Sequence, residues 1–137
     1  MEHFSHKQYF DLLHYNSSIL FVHEKGLCKP ENFHLHINHY YEIYVYISGD
    51  VDYIADDKYY ALEQGDIIVI NPYKVHKAVV KSECCYERFY LLIPVNSFDK
   101  LTVNPLSPIV QLAPSAGCLI SAQAEQRQRL TDILYRI

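Results

Sequence analysis

Apolar runs of roughly four to eight residues, each closed by turn residues, recur through the first two thirds of this chain. Ile19–Glu24 is followed by a Glu24-Lys25-Gly26 turn, and then by Leu27–His36, which Pro30 interrupts. Tyr41–Ser48 is rich in β-branched and aromatic residues and ends at Gly49-Asp50, a hairpin signal. Val51–Ala55 turns at Asp56-Asp57 into Lys58–Leu62; Gly65-Asp66 opens Ile67–Ile70, which stops at Asn71-Pro72; Val75–Lys81 and Cys84–Ile93 form a last hairpin. Such close spacing leaves no room for crossover helices. The sheets are therefore expected to be antiparallel, in an all-β barrel or jelly roll.

After Pro94 the pattern changes. Asn96–Leu101 fits one helical turn, and Asn104–Pro114, with prolines at 105, 108 and 114, reads as a connector. From Ser121 onward Gly and Pro disappear and charged helix formers dominate. Leu130, Ile133, Leu134 and Ile137 fall at i, i+3, i+4 and i+7, an apolar stripe on a helix with Ser121 as its expected N-cap and Glu125 in its first turn. The stripe is still running at Ile137, as expected of a helix that continues in a longer protein.

With 137 residues, half of them hydrophobic and a fifth charged, the chain has one domain's worth of core. No stretch approaches the roughly 20 apolar residues of a membrane helix, and residues 1–16 lack the apolar centre of a secretion signal. A cytoplasmic protein with no membrane partner is expected. The net charge of −4 argues against a surface that grips nucleic acid by itself, since phosphate neutralisation supplies most such affinity. Cys28, Cys84, Cys85 and Cys118 form no CxxC pair and read as small buried hydrophobes or surface thiols; no structural disulfide is expected.

Two segments carry a resemblance. His34-Leu35-His36, then Glu42, then Gly49 resembles the first cupin motif, and Gly65-Asp66, Asn71-Pro72 and His76 the second. The wording Tyr41-Glu42-Ile43-Tyr44 leading to Ser48-Gly49-Asp50, with Tyr86-Glu87-Arg88 on the last strand, is similar to the N-terminal sensor domain of AraC-family transcriptional regulators. The resemblance runs over residues 19–137 and implies a double-stranded β-helix (cupin/jelly-roll) barrel followed by a helix. It also implies an arm over 1–18 that closes on the pocket, an effector-binding barrel over 19–95, a connector over 96–120, and over 121–137 the start of a dimerisation segment. In that family a C-terminal helix-turn-helix domain, absent from these residues, binds DNA. The implied function is non-enzymatic: a homodimer senses a sugar or other polar metabolite, with no cofactor.

The residues suggest their own chemistry. Extended-strand parity puts His34 and His36 on one face with Glu42, Tyr44 and Tyr46, provided no bulge intervenes, and His76 joins them from the second motif. His34, His36, Glu42 and His76 are thus candidate ligands for a divalent metal, which leads to the alternative of a stand-alone metal-dependent cupin dioxygenase or isomerase. Against this, five residues separate His36 from Glu42 where metal-binding cupins keep three or four. With 13 tyrosines and no tryptophan, the barrel lining is expected to be rings with hydroxyls, and Arg88, alternating with Tyr86 and Tyr90, to supply a cation. The expected ligand-binding set is His34, His36, Glu42, Tyr44, Tyr46, His76 and Arg88. Leu130, Ile133, Leu134 and Ile137 are the expected dimer seam, unless the stripe only covers the barrel.

Overall fold

The computed structural model describes residues 3–12, 17–97, 117–120 and 124–137. Among the described residues nine strands and one α-helix follow each other: β1 Phe4–Leu12, β2 Ser17–Cys28, β3 Tyr40–Ser48, β4 Val51–Ala55, β5 Lys58–Tyr60, β6 Ile67–Ile70, β7 His76–Val80, β8 Cys84–Pro94, β9 Gly117–Ile120 and α1 Ala124–Leu134. One sheet has the order β1-β2-β8-β3-β6-β9 and the other β5-β4-β7, with every pairing antiparallel. The two sheets face each other as a jelly-roll barrel, the architecture the strand spacing predicts. Among the described residues no helix is long and apolar enough to cross a membrane.

The inner core is Tyr44, Tyr46, Val51, Tyr53, Ile68, Ile70, Ala78, Val80 and Tyr86. A second cluster, Phe21, Val45, Ile47, Phe89 and Leu134, lies on the outer face of the large sheet. On β3 the two sets alternate, Tyr44 and Tyr46 inward and Val45 and Ile47 outward, so all four are buried. A half-exposed strand would bury only one face; here α1 covers the other. The turns that carry the chain from one sheet to the other after β3 and before β6 use glycine at positive φ, Gly49 at +123° and Gly65 at +84°.

The hairpins expected at Gly49-Asp50 and between Val75–Lys81 and Cys84–Ile93 do not form, because β3 and β8 join the large sheet while β4 and β7 join the other, and further elements also depart from expectation. β2 runs straight through Glu24-Lys25-Gly26, because all three pair with β8, Glu24 with Arg88, Lys25 with Glu87 and Gly26 with Tyr86. Glycine is needed there for space: a Cβ on Gly26 would lie 2.8 Å from the His3 ring. The described part of the 1–18 arm is β1, paired with β2 from Phe4–Lys25 to Leu12–Ser17. Inside the 96–120 connector, residues 117–120 form β9, which caps the open edge of β6. Asn96 and Ser97 lie in a turn, where Ser97 N–H donates to the Pro94 carbonyl, while 98–116 and the expected cap Ser121 fall outside the described residues.

Candidate functional site

A cavity of about 220 Å³ opens inside the barrel, lined by residues of β3, β4, β7 and β8 and of the segment before β3. β8 supplies Tyr86, Arg88, Tyr90 and Leu92, every second residue, so strand alternation alone aims them at the same space. Glu42 and Tyr44 come from β3, Tyr53 from β4, and Phe33, His36 and Asn38 from the connection between β2 and β3.

Arg88 projects across the cavity wall and pairs with Glu24, its cross-strand neighbour on β2. Its guanidinium also lies 4.5 Å from the Tyr86 ring centre and 5.2 Å from that of Phe33, within the range of cation–π attraction. Tyr44 and Tyr86 hydroxyls meet at 2.6 Å, and the Tyr44 and Tyr53 rings pack at 4.6 Å. Burial raises the pKa of Tyr44, Tyr53 and Tyr86 well above the ordinary value, and that of Tyr90 to about 12. All four are protonated at neutral pH and present O–H groups rather than charge.

Beside the tyrosines, His36, Glu42 and His76 bring one ligand-type atom each within 4.8 Å of the others. They do not share a strand. His36 lies outside regular structure and reaches the group through a two-way backbone bridge to His76, N–O 3.1 and 3.0 Å. That bridge, rather than the parity of one continuous strand, brings the imidazoles together, and it makes the five-residue separation from Glu42 immaterial. Each ring has its Nδ1 next to a carbonyl two residues earlier, His36 at 3.1 Å from His34 O and His76 at 2.7 Å from Lys74 O. With Nδ1–H donating, Nε2 is a lone pair in the neutral ring and a second N–H in the protonated one. His76 Nε2 is 3.0 Å from Glu42 Oε2 without a hydrogen bond of acceptable direction, so the protonated ring meets the carboxylate as a charge pair. Burial lowers the His76 pKa, but the Glu42 carboxylate and the Lys74 carbonyl outweigh it and the net shift is upward.

Of the expected ligand set, the structure brings together His36, Glu42, Tyr44 and Arg88 at the cavity, with His76 against Glu42. His34 is exposed and outside the cluster, because Pro30–Asn32 forms a short 3-10 turn and the strand needed for parity with His36 does not exist. Tyr46 does face inward, but it packs in the core away from the cavity and its hydroxyl donates to the Gly49 carbonyl. The sequence reading did not place Phe33 at the site, and it read Glu24 as part of a turn. An acidic residue directly opposite Arg88 signals Glu24 once β2 and β8 are paired in register, and Asn38 lines the cavity 3.5 Å from Glu42.

The helical stripe divides. Leu134 is buried on the outer face of the large sheet and Leu130 packs beside it, whereas Ile133 and Ile137 are exposed. The helix is tied at both ends. Arg127 pairs with Glu63 at 3.0 Å and lies 3.5 Å from Asp66, and the Tyr135 hydroxyl donates to Glu87.

The AraC-like ligand binding domain family model matches residues 28–134, which takes in the cavity and the helix. The chain belongs to that family. In fold it is similar to a cupin superfamily protein from Desulfitobacterium hafniense, with 10% identity, 68% of this chain and 78% of that chain covered, and a TM-score of 0.50. A Cupin 2 conserved barrel domain protein from Salinispora arenicola is 15% identical over 70% of this chain and 79% of its own, at TM-score 0.50. A variant of oxalate decarboxylase from Bacillus subtilis is 16% identical over 80% of this chain but only 32% of its own, also at TM-score 0.50. At these identities the likeness establishes the cupin fold and nothing further. No curated protein matches the sequence.

Proposed function

We propose that this AraC-like ligand-binding domain is the effector-sensing and dimerisation part of a cytoplasmic DNA-binding transcriptional regulator. The observation that carries the reading is the tyrosine-lined cavity of about 220 Å³ with Arg88, Glu42 and His36 on its wall. Its charges are already matched inside the protein, Arg88 by Glu24 and Glu42 by His76. A free anion gains little in such a site, whereas a neutral polyhydroxylated molecule gains ring faces for its C–H groups and fixed donors and acceptors for its hydroxyls. A sugar or comparable polar metabolite fits best. The homodimer would form through the exposed half of the helical stripe, Ile133 and Ile137, and DNA contact would belong to a helix-turn-helix domain rather than to these acidic residues. A ligand transmits a signal only if its affinity differs between two arrangements of that dimer.

The test is a thermal-shift panel of sugars, polyols, organic acids and amines, followed by calorimetry on the best compound. Arg88→Gln is expected to weaken binding about tenfold or more, since a hydrogen bond to a charged group is worth about 1.5–3 kcal/mol, and Tyr44→Phe about two- to tenfold, the roughly 0.5–1.5 kcal/mol of a neutral one. Unchanged affinity in both variants removes the cavity from the proposal.

A second reading is a metal-dependent cupin enzyme, favoured by the convergence of His36, Glu42 and His76. Two Nε2 lone pairs and a carboxylate beside a cavity suit a divalent first-row metal, and the two carbonyl-anchored rings are the usual way such ligands are oriented. In this reading the metal would polarise a bound substrate oxygen. Stoichiometric metal after expression in supplemented medium, lost in His76→Ala, supports it; metal-free protein from the same medium ends it.

A further inference from the structure

Below the cavity, where β2 ends and β8 begins, lies a second pair of reactive side chains. The ladder between these strands runs without a bulge from Leu20–Leu92 to Cys28–Cys84. Just beyond it, Lys29 Nζ and Glu83 Oε2 are 3.8 Å apart, so the strands stay side by side past the cysteines. Cys28 and Cys84 both pack against the inner core cluster that holds Tyr46 and Tyr86, so their side chains share a face. Cys85 is not in that cluster, as alternation along β8 requires. The thiols are free and half-buried, within reach of small solutes.

We propose that Cys28 and Cys84 are a cross-strand dithiol that a peroxide-class oxidant closes to a disulfide. Directly opposed residues in an antiparallel ladder hold their Cβ atoms about 4.5–5.5 Å apart, and a disulfide needs about 3.5–4.5 Å. The remaining 1 Å or so is small for the last rung of a ladder, which no further rung constrains. The vicinal pair Cys84–Cys85 offers no such approach, since its side chains point to opposite faces. Either sulfur serves as the first nucleophile, and with Cys84 attacking, Cys28 resolves. The Cys84 thiolate attacks one peroxide oxygen: an S–O bond forms, the O–O bond breaks, and hydroxide leaves and is protonated to water. Cys28 sulfur then attacks the Cys84 sulfenic sulfur: the S–S bond forms, the S–O bond breaks, and the hydroxyl leaves with the Cys28 proton as a second water. Two thiols have given up two electrons and two protons to one hydrogen peroxide. The closed bond pins the point from which the chain departs toward Phe33 and His36, both of which line the cavity.

The test treats the whole chain with hydrogen peroxide and counts thiols in denaturant. The expected count falls from the four of the sequence to two, with Cys28 and Cys84 peptides joined within one chain. A Cys85→Ser, Cys118→Ser double variant is expected to fall to none. Cys28→Ser and Cys84→Ser are each expected to leave a dimedone-reactive sulfenic acid on the remaining cysteine of the pair and no bridge between these two positions. Four surviving thiols, or a bridge that uses Cys85 or Cys118 or joins two chains, overturns the proposal. The wild-type peptide map decides this even where a variant fails to fold.

Discussion

Leu134→Ala tests whether the C-terminal helix is part of the barrel's own core. Leu134 is 6% exposed and closes the outer cluster over Phe21, Val45, Ile47 and Phe89. Removing a buried leucine side chain in a packed core costs about 2–5 kcal/mol, from lost transfer free energy and the cavity left behind. The site lies at the end of an 11-residue helix, too short to persist without packing. The loss is therefore limited by the free energy of helix docking, and about 3 kcal/mol is expected. With a urea slope of about 1.5 kcal/mol per molar, the midpoint moves down by about 2 M. Urea unfolding followed by far-UV circular dichroism and tyrosine fluorescence measures it, with no tryptophan to mask the 13 tyrosines. Ile133→Ala is the control: its side chain is 55% exposed, and a change under about 0.5 kcal/mol is expected in dilute protein. A Leu134→Ala change as small as that of the control refutes the docking argument. A large Ile133→Ala change that grows with protein concentration places that half of the stripe on a partner chain.

Three further outcomes follow from named contacts. Tyr44→Phe and Tyr86→Phe each leave a buried hydroxyl without its 2.6 Å partner and are expected to cost about 1–2 kcal/mol, while the double variant costs less than their sum; denaturant unfolding of the cycle measures the coupling. At Glu87, burial raises the pKa, but Tyr135 and His23 as donors and Lys25 as a charge outweigh it and the net shift is downward. Its stabilising contribution is thus present above the unfolded carboxyl value of about 4.3 and is lost as pH falls through the lower folded value. Glu87→Gln is expected to be less stable at neutral pH and to show a shallower decline below about pH 4.3; an unchanged slope counts against the contact. Gly65→Ala forces a Cβ to 2.8 Å from Arg127 Cβ at φ +84°, and a loss of about 1–3 kcal/mol in thermal or denaturant unfolding is expected.

The fold was legible where turn chemistry and strand period agree. Gly49-Asp50, Asp56-Asp57 and Asn71-Pro72 all separate strands where the sequence places a break. The Tyr86-Arg88-Tyr90 alternation needed only the right parity to be aimed at the cavity. Local signals misled where tertiary pairing won. Glu24-Lys25-Gly26 has turn composition, but nine residues of β8 hold it extended, and its glycine answers the approach of His3. β1 and β9 lie in segments without clear strand period, and each exists because a neighbour offers an unpaired edge. The site divides in the same way. Glu42, Tyr44 and Arg88 follow from position along a strand, whereas His36 depends on a single non-local bridge to His76 that no spacing rule contains.

Strand β8 carries the two halves of the molecule on alternate residues. Arg88 turns inward to Glu24 and the cavity, while Glu87, one residue earlier, turns outward to His23 at 2.8 Å, Lys25 at 3.5 Å and the Tyr135 hydroxyl beyond the helix. Their β2 partners are adjacent as well, Glu24 inward and Lys25 outward. The His23 ring stacks on Phe89 at 4.0 Å and meets Tyr135 edge-on at 5.3 Å, so the outer contact is a packed cluster and not a lone ion pair. The inner ion pair and the seat of the helix tail therefore occupy adjacent rungs of one ladder, Arg88 opposite Glu24 and Glu87 opposite Lys25, and the strand alternation that separates the two faces also keeps their charges one residue apart.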